Sequence, residues 1–86
     1  MSVGAIPNRI EVTRVGLRTR RGLKGAAVRN RLKRQLRAIL FGGKVPLRGG
    51  LDVVVVIHPQ EAHLPAAILE QELLALCKRN GFLNGS

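Results

Sequence analysis

Residues 51–58 read Leu-Asp-Val-Val-Val-Val-Ile-His, a segment whose β-branched run at 53–57 is apolar on both parities and which is closed by Pro59. Such a run predicts a central strand covered on both faces, because a half-exposed strand would alternate apolar and polar residues. The rest of the chain must therefore supply at least one neighbouring strand and enough helix to bury it. The nearest candidate is residues 9–19, where Ile10, Val12, Val15 and Leu17 interleave with Arg9, Glu11, Thr13, Arg14 and Arg18. That alternation suits a half-buried strand, and its parity slip near Arg14 predicts a bulge. Residues 1–8 are small and interrupted by Gly4 and Pro7, and read as a loose lead-in.

Two helices complete the pattern. From Ala26 onward Val28, Leu32, Leu36, Ile39 and Leu40 follow helical spacing and fall in one stripe about 120° wide. Phe41-Gly42-Gly43 stops that helix, and residues 44–50 connect it to the strand. After a polar loop, Pro65 is the expected first residue of a second amphipathic helix carrying Ile68, Leu69, Leu73, Leu76 and Cys77. Lys78 and Arg79 suit its C-terminal dipole and Asn80-Gly81 its end. Phe41 and Phe82 are read as staples at the two helix ends, with partial exposure of Phe41 the alternative. At 86 residues this is a single domain, expected to be one RNA-binding unit with a tail at residues 84–86. The order of strand, basic helix, strand and helix predicts an α+β fold, a two-layer α/β sandwich.

Charge is where function enters. Residues 18–37 hold nine basic side chains and no acidic one. Residues 1–48 carry a formal +12 and residues 49–86 a formal −2. Solubility alone would not segregate charge in this way, whereas binding a polyanion would, since Lys and Arg release condensed counterions when they neutralise phosphates. Along the first helix, Arg29, Lys33 and Arg37 stand at i, i+4 spacing, a repulsion of a few tenths of a kcal/mol per pair that a phosphate partner would relieve. With no Trp or Tyr and two Phe, base stacking is scarce, and recognition should rest on phosphates, shape and guanidinium forks. About six neutralised phosphates would give a log-log salt slope of about −4 to −5.

Other constellations carry less. Gly22-Leu23-Lys24-Gly25 matches the loop with which KH domains clamp a nucleic-acid backbone, but a KH loop joins two helices. His58 and His63 with Glu61 between them lack the three convergent ligands of a metal site. Asp52 reads as a turn or capping residue rather than a general base, with no His or Lys placed to pair with it. The single Cys77, on the apolar stripe of the last helix, reads as a core residue and excludes an internal disulfide. No apolar stretch approaches a membrane span and no signal peptide is legible, so the chain is expected to be cytoplasmic with no membrane partner. Without clustered carboxylates or paired histidines, an autonomous nuclease is disfavoured.

Arg14-Val15-Gly16-Leu17, Ala26, the run Arg29-Asn30-Arg31-Leu32-Lys33-Arg34 to Arg37, Asp52 with its Val/Ile strand, and the Leu-rich last helix together resemble the protein subunit of bacterial ribonuclease P. The resemblance covers residues 14–83, and its most specific piece is the Arg-Asn-Arg-x-Lys-Arg helix after a Val-Gly-Leu strand and a basic glycine loop. It implies a sandwich similar to the second domain of a small-subunit ribosomal protein, with an uncommon left-handed strand-helix-strand crossover where base rates favour the right-handed one. It implies a non-catalytic subunit of a hydrolase, an endoribonuclease that removes 5′ leaders from precursor tRNA.

In that family the RNA subunit with Mg²⁺ performs the cleavage, so no catalytic residue, metal or cofactor is expected on this chain itself. The implied partners are ribonuclease P RNA and precursor tRNA. The expected RNA-binding residues are Arg18, Arg20, Arg21, Lys24, Arg29, Asn30, Arg31, Lys33, Arg34 and Arg37. Members usually open with a helix and a further strand carrying aromatics, part of the leader cleft, and this sequence starts too late to hold either. A missing opening strand would expose a sheet edge and favour self-association. The competing reading is a structural RNA-binding protein, ribosomal or KH-like, with no part in tRNA processing.

Overall fold

The computed structural model describes residues 1–84 as a three-stranded sheet with two helices on one face. In chain order the elements are β1 (Ser2–Pro7), β2 (Arg14–Thr19), α1 (Ala26–Phe41), β3 (Leu51–Ile57), a short 3₁₀ helix (Pro59–His63) and α2 (Ala66–Arg79). The valine run is the central strand: β1 pairs with it antiparallel and β2 parallel. Leu51, Val53, Val55 and Ile57 point into the core, where they meet Leu32 and Leu36 of α1 and Leu69, Leu73 and Cys77 of α2.

Only that face is covered. Val54 is 38% exposed and Asp52 and Val56 are half-buried, so the helices form the second layer of a two-layer sandwich and the covering expected on the other face of β3 is absent among the described residues. Valine stabilises a strand by fitting a pleated surface even where one face is open, which is why an all-apolar run overstated the burial.

The lead-in is not loose. Residues 2–7 form β1, whose Val3 and Ala5 pack beneath the sheet while Gly4 and Ile6 lie on the open face. This strand, which carries no aromatic, was not expected from the sequence, and with it β3 has a neighbour on each side. Conversely, the strand expected over residues 9–19 begins only at Arg14, and no bulge is needed. Asn8 Oδ1 accepts the Ile10 amide at 2.9 Å, Arg9 adopts a left-handed φ of 62°, and Asn8 Nδ2 donates to Val12 O at 2.9 Å, so residues 8–13 are a pinned loop.

Pro65 caps α2 rather than opening it, and the Ile68 and Leu69 amides donate back to its carbonyl. At the other end Gly81 takes φ 74°, its amide donates to Lys78 O at 3.2 Å and the Phe82 amide to Cys77 O at 2.9 Å, the paired bonds of a Schellman stop with Phe82 packed on the core. The Asn84 amide then donates to Pro46 O at 2.7 Å, so the expected tail is anchored at its first residue, while Gly85 and Ser86 lie outside the described residues. Cys77 is fully buried, and burial pushes its thiol pKa up, as expected of a core residue.

Candidate nucleic-acid interface

Helix α1 sorts its residues by spacing. Leu32, Leu36, Ile39 and Leu40 are buried, and Asn30, Arg31, Arg34 and Arg37 are exposed on the opposite side. The helix starts from Gly25 at φ 91° with no side-chain cap and no acidic residue in its first turn. The positive end of its dipole is therefore left unneutralised and adds to the field of the arginines.

The loop ahead of it is held by Leu23, which is buried, and by two left-handed glycines, Gly22 (φ 96°) and Gly25. A Cβ at Gly22 would come within 3.2 Å of Pro59 Cγ, so this turn has both a conformational and a steric reason for glycine. With Leu23 anchored, Arg20, Arg21 and Lys24 project outward. The loop joins β2 to α1, not two helices, and the KH-like reading fails on that connectivity.

The ten expected contact residues do not behave alike. Arg29 donates from Nη1 to Leu23 O at 3.3 Å, tying the helix to the loop, and is half-buried. Arg31 donates from Nη2 to Ala62 O at 2.5 Å and braces α1 against the 3₁₀ helix. Those two guanidinium groups are partly structural. Arg34, Arg37 and Asn30 on α1, with Arg20, Arg21 and Lys24 on the loop, form an exposed cationic ridge bordered by half-buried Lys33. Arg18 stands apart from them on the open face of the sheet, at the β2 position paired in register with Val56.

That open face is a second feature, missed in the sequence because β1 was hidden. Gly4, Val54 and Gly16 lie side by side in register across the three strands, a shallow trough with glycine on both outer strands. One end is closed by Asp52, which accepts from Arg14 Nε and Nη2 at 2.8 Å each and from Asn8 Nδ2 at 3.0 Å. Asp52 is thus a strand residue rather than a turn residue, and its partners are an arginine and an asparagine. The Arg14 bonds, with those of Asn8, hold its carboxyl below the usual carboxylate pKa, and Arg14 is pushed further up in turn.

His58 and Glu61 serve structure. His58 Nε2 shares a hydrogen bond of 2.9 Å with Ser2 Oγ, and Glu61, buried, pairs through Oε1 with the Met1 amino group. Among the described residues no group of three His, Cys, Asp or Glu side chains is arranged to hold a metal ion, and no helix is long and apolar enough to cross a membrane.

Comparison with known proteins places this architecture. Residues 1–81 match the family model for Ribonuclease P. The chain belongs to the ribonuclease P protein family. A ribonuclease P protein component from a Cyanothece species is 39% identical over 79 residues, which are 91% of this chain and 60% of that protein. One from Beutenbergia cavernae is 41% identical over 63 residues, 73% of this chain and 53% of that protein. The chain thus spans less than two thirds of the length of these relatives. Among solved structures, the ribonuclease P protein of Thermotoga maritima superposes with a TM-score of 0.80 at 28% identity, over 90% of this chain and 74% of that one. The Staphylococcus aureus protein, at 22% identity, shares the fold with a TM-score of 0.83 over 95% of this chain and 75% of its own.

Proposed function

We propose that this chain is the non-catalytic protein subunit of ribonuclease P, which binds the catalytic RNA through α1 and the β2–α1 loop and assists Mg²⁺-dependent removal of 5′ leaders from precursor tRNA. The observation that carries the reading is the exposed ridge of Asn30, Arg34 and Arg37 with Arg20, Arg21 and Lys24, standing in a chain of this family. Guanidinium groups on a rigid helix can bind phosphate oxygens in pairs, and one helix with a flanking loop fits a junction between RNA helices. The chain's own residues lower the repulsion between RNA and precursor tRNA, and Mg²⁺ bound by the RNA supplies the chemistry of hydrolysis.

The precursor's single-stranded leader is assigned to the open sheet face, with Arg18 at its edge. The glycine trough lets an extended backbone approach, and β1 supplies one of its walls through Gly4. A cytoplasmic location and one copy per RNA go with this assignment. The test is cleavage of a precursor tRNA by cognate ribonuclease P RNA at low Mg²⁺. Adding the chain should raise the rate, and the chain alone should cut nothing. An unchanged rate would favour a purely structural RNA-binding role, and cleavage by the chain alone would refute the assignment.

A further inference from the structure

The exposed stripe of α1 ends in an anomaly. Asn30, Arg34, Arg37 and Phe41 follow one another at steps of four, three and four residues, so they line the side of the helix farthest from its buried face. The first three are polar or cationic, and the fourth is a phenyl ring left 68% exposed. Phe41 does not staple the helix end, as its sequence position suggested. Gly42 and Gly43 follow it and bring no side chain over the ring, and a Cβ at Gly42 would strike Ala38 O at 2.5 Å, so no other residue fits there without a shift. On one side the ring borders a shallow concavity with Val15, Leu40, Val45 and Leu47, and it is otherwise open to water, so it has no role in the core and no large apolar patch surrounds it on α1.

We propose that Phe41 is a base-stacking residue, whose ring packs on the face of an unpaired nucleobase of the RNA that the ridge contacts. The proposal rests on the RNA-binding reading and adds to it a contact of a different chemistry. The nucleobase is favoured over an apolar protein surface by charge: the ring is displayed one turn beyond Arg37 and two beyond Arg34, cations that draw in a polyanion and would resist burial in an apolar interface. Stacking is indifferent to base identity and to salt, whereas the arginine contacts are strongly salt-dependent.

The full chain is titrated onto cognate ribonuclease P RNA. Phe41→Ala should weaken binding by about tenfold to a hundredfold, as loss of one stacked base does, with the salt slope unchanged. Phe41→Leu, which keeps apolar bulk and loses the π face, should recover little of that loss. Because the chain has no Trp, Phe41→Trp introduces a single indole fluorophore, which should bind as the parent does and be quenched when RNA is added. Thermal midpoints should be equal across the series, since the ring is exposed.

If the parent binds RNA and Phe41→Ala binds equally well, the stacking assignment falls and the RNA-binding reading stands. Full recovery by Leu would overturn it in favour of plain apolar contact. Self-association of the parent that Phe41→Ala abolishes, with RNA affinity unchanged, would overturn it in favour of a second copy as the occupant. If the parent binds no RNA, both fall together.

Discussion

Replacing Arg34 and Arg37 together by Ala removes two cations that the fold does not use. Nine basic residues were expected to face RNA, and two of them, Arg29 and Arg31, spend donors on Leu23 O and Ala62 O. Seven are left for phosphates: Arg18, Arg20, Arg21, Lys24, Lys33, Arg34 and Arg37. If each neutralises one phosphate, the log-log salt slope of binding is about −5 for single-stranded contacts and about −6 for duplex contacts. The double substitution should flatten it by about 1.4 to 1.8.

Between about 50 and about 200 mM salt, the parent should then lose affinity by about 10³ to 10⁴, and the variant by about tenfold less. Both side chains are exposed on the face of α1 opposite the core, so the thermal midpoint should hardly move. The assay is a gel shift or filter-binding titration of ribonuclease P RNA at four or more salt concentrations, with thermal melts in parallel. An unchanged slope would refute the assignment of these arginines to phosphates. A large drop in midpoint would mean that they hold the fold together.

Other outcomes follow from the same geometry. Arg31→Ala should lower the midpoint more than Arg34→Ala, because it removes the bond to Ala62 O that braces α1, worth about 0.5–1.5 kcal/mol and less in an exposed setting; melts of the two variants decide this. Leu36→Ala, at a site with no exposure, should cost about 2–5 kcal/mol by denaturant titration. The Arg14–Asp52 pair should contribute to stability above pH 3.8, the usual carboxylate value, and lose that contribution as pH falls through the lower folded value. Asp52→Asn should therefore destabilise at about pH 7 and lose its effect at about pH 2, as followed by melts across the range. Gly22→Ala, which forces a β-carbon against Pro59 and a side chain into φ 96°, should destabilise the loop and weaken RNA binding more than Lys24→Ala does, in the same titration.

The strongest periodicities in the chain translated directly into structure. The valine run is β3, the 26–41 stripe is α1 with its basic face outward, and the Leu-rich segment is α2, since each buries enough apolar surface to be decided by its own pattern. The first strand was hidden because Ser2, Gly4, Ala5 and Pro7 have poor strand propensity. It forms because β3 offers a ready edge and Val3 and Ala5 find the core, which is tertiary context overriding local preference.

Residues 9–13 erred the other way. Their alternation imitates a strand, but the Asn8 side chain captures the backbone in a turn, a bond no periodicity reveals. Within the site, the charged residues were legible as a group. Division of labour among them was not, because the carbonyls that occupy Arg29 and Arg31 come from Leu23 and Ala62. Partial exposure of Phe41 was legible, but its full display follows from its spacing with Asn30, Arg34 and Arg37, which an aromatic after a helical run obscured by suggesting a staple.

The central claim is that RNA lies against the outward side of α1, and site-directed photocross-linking tests it most directly. Ala27 on that side and Gln71 on α2 are both exposed, and Cys77 is buried, so a cross-linker can be attached to Ala27→Cys or Gln71→Cys without labelling the native thiol. With cognate ribonuclease P RNA, the probe at position 27 should give a covalent RNA adduct and the probe at 71 should give little. Adducts from 71 and none from 27 would contradict the account.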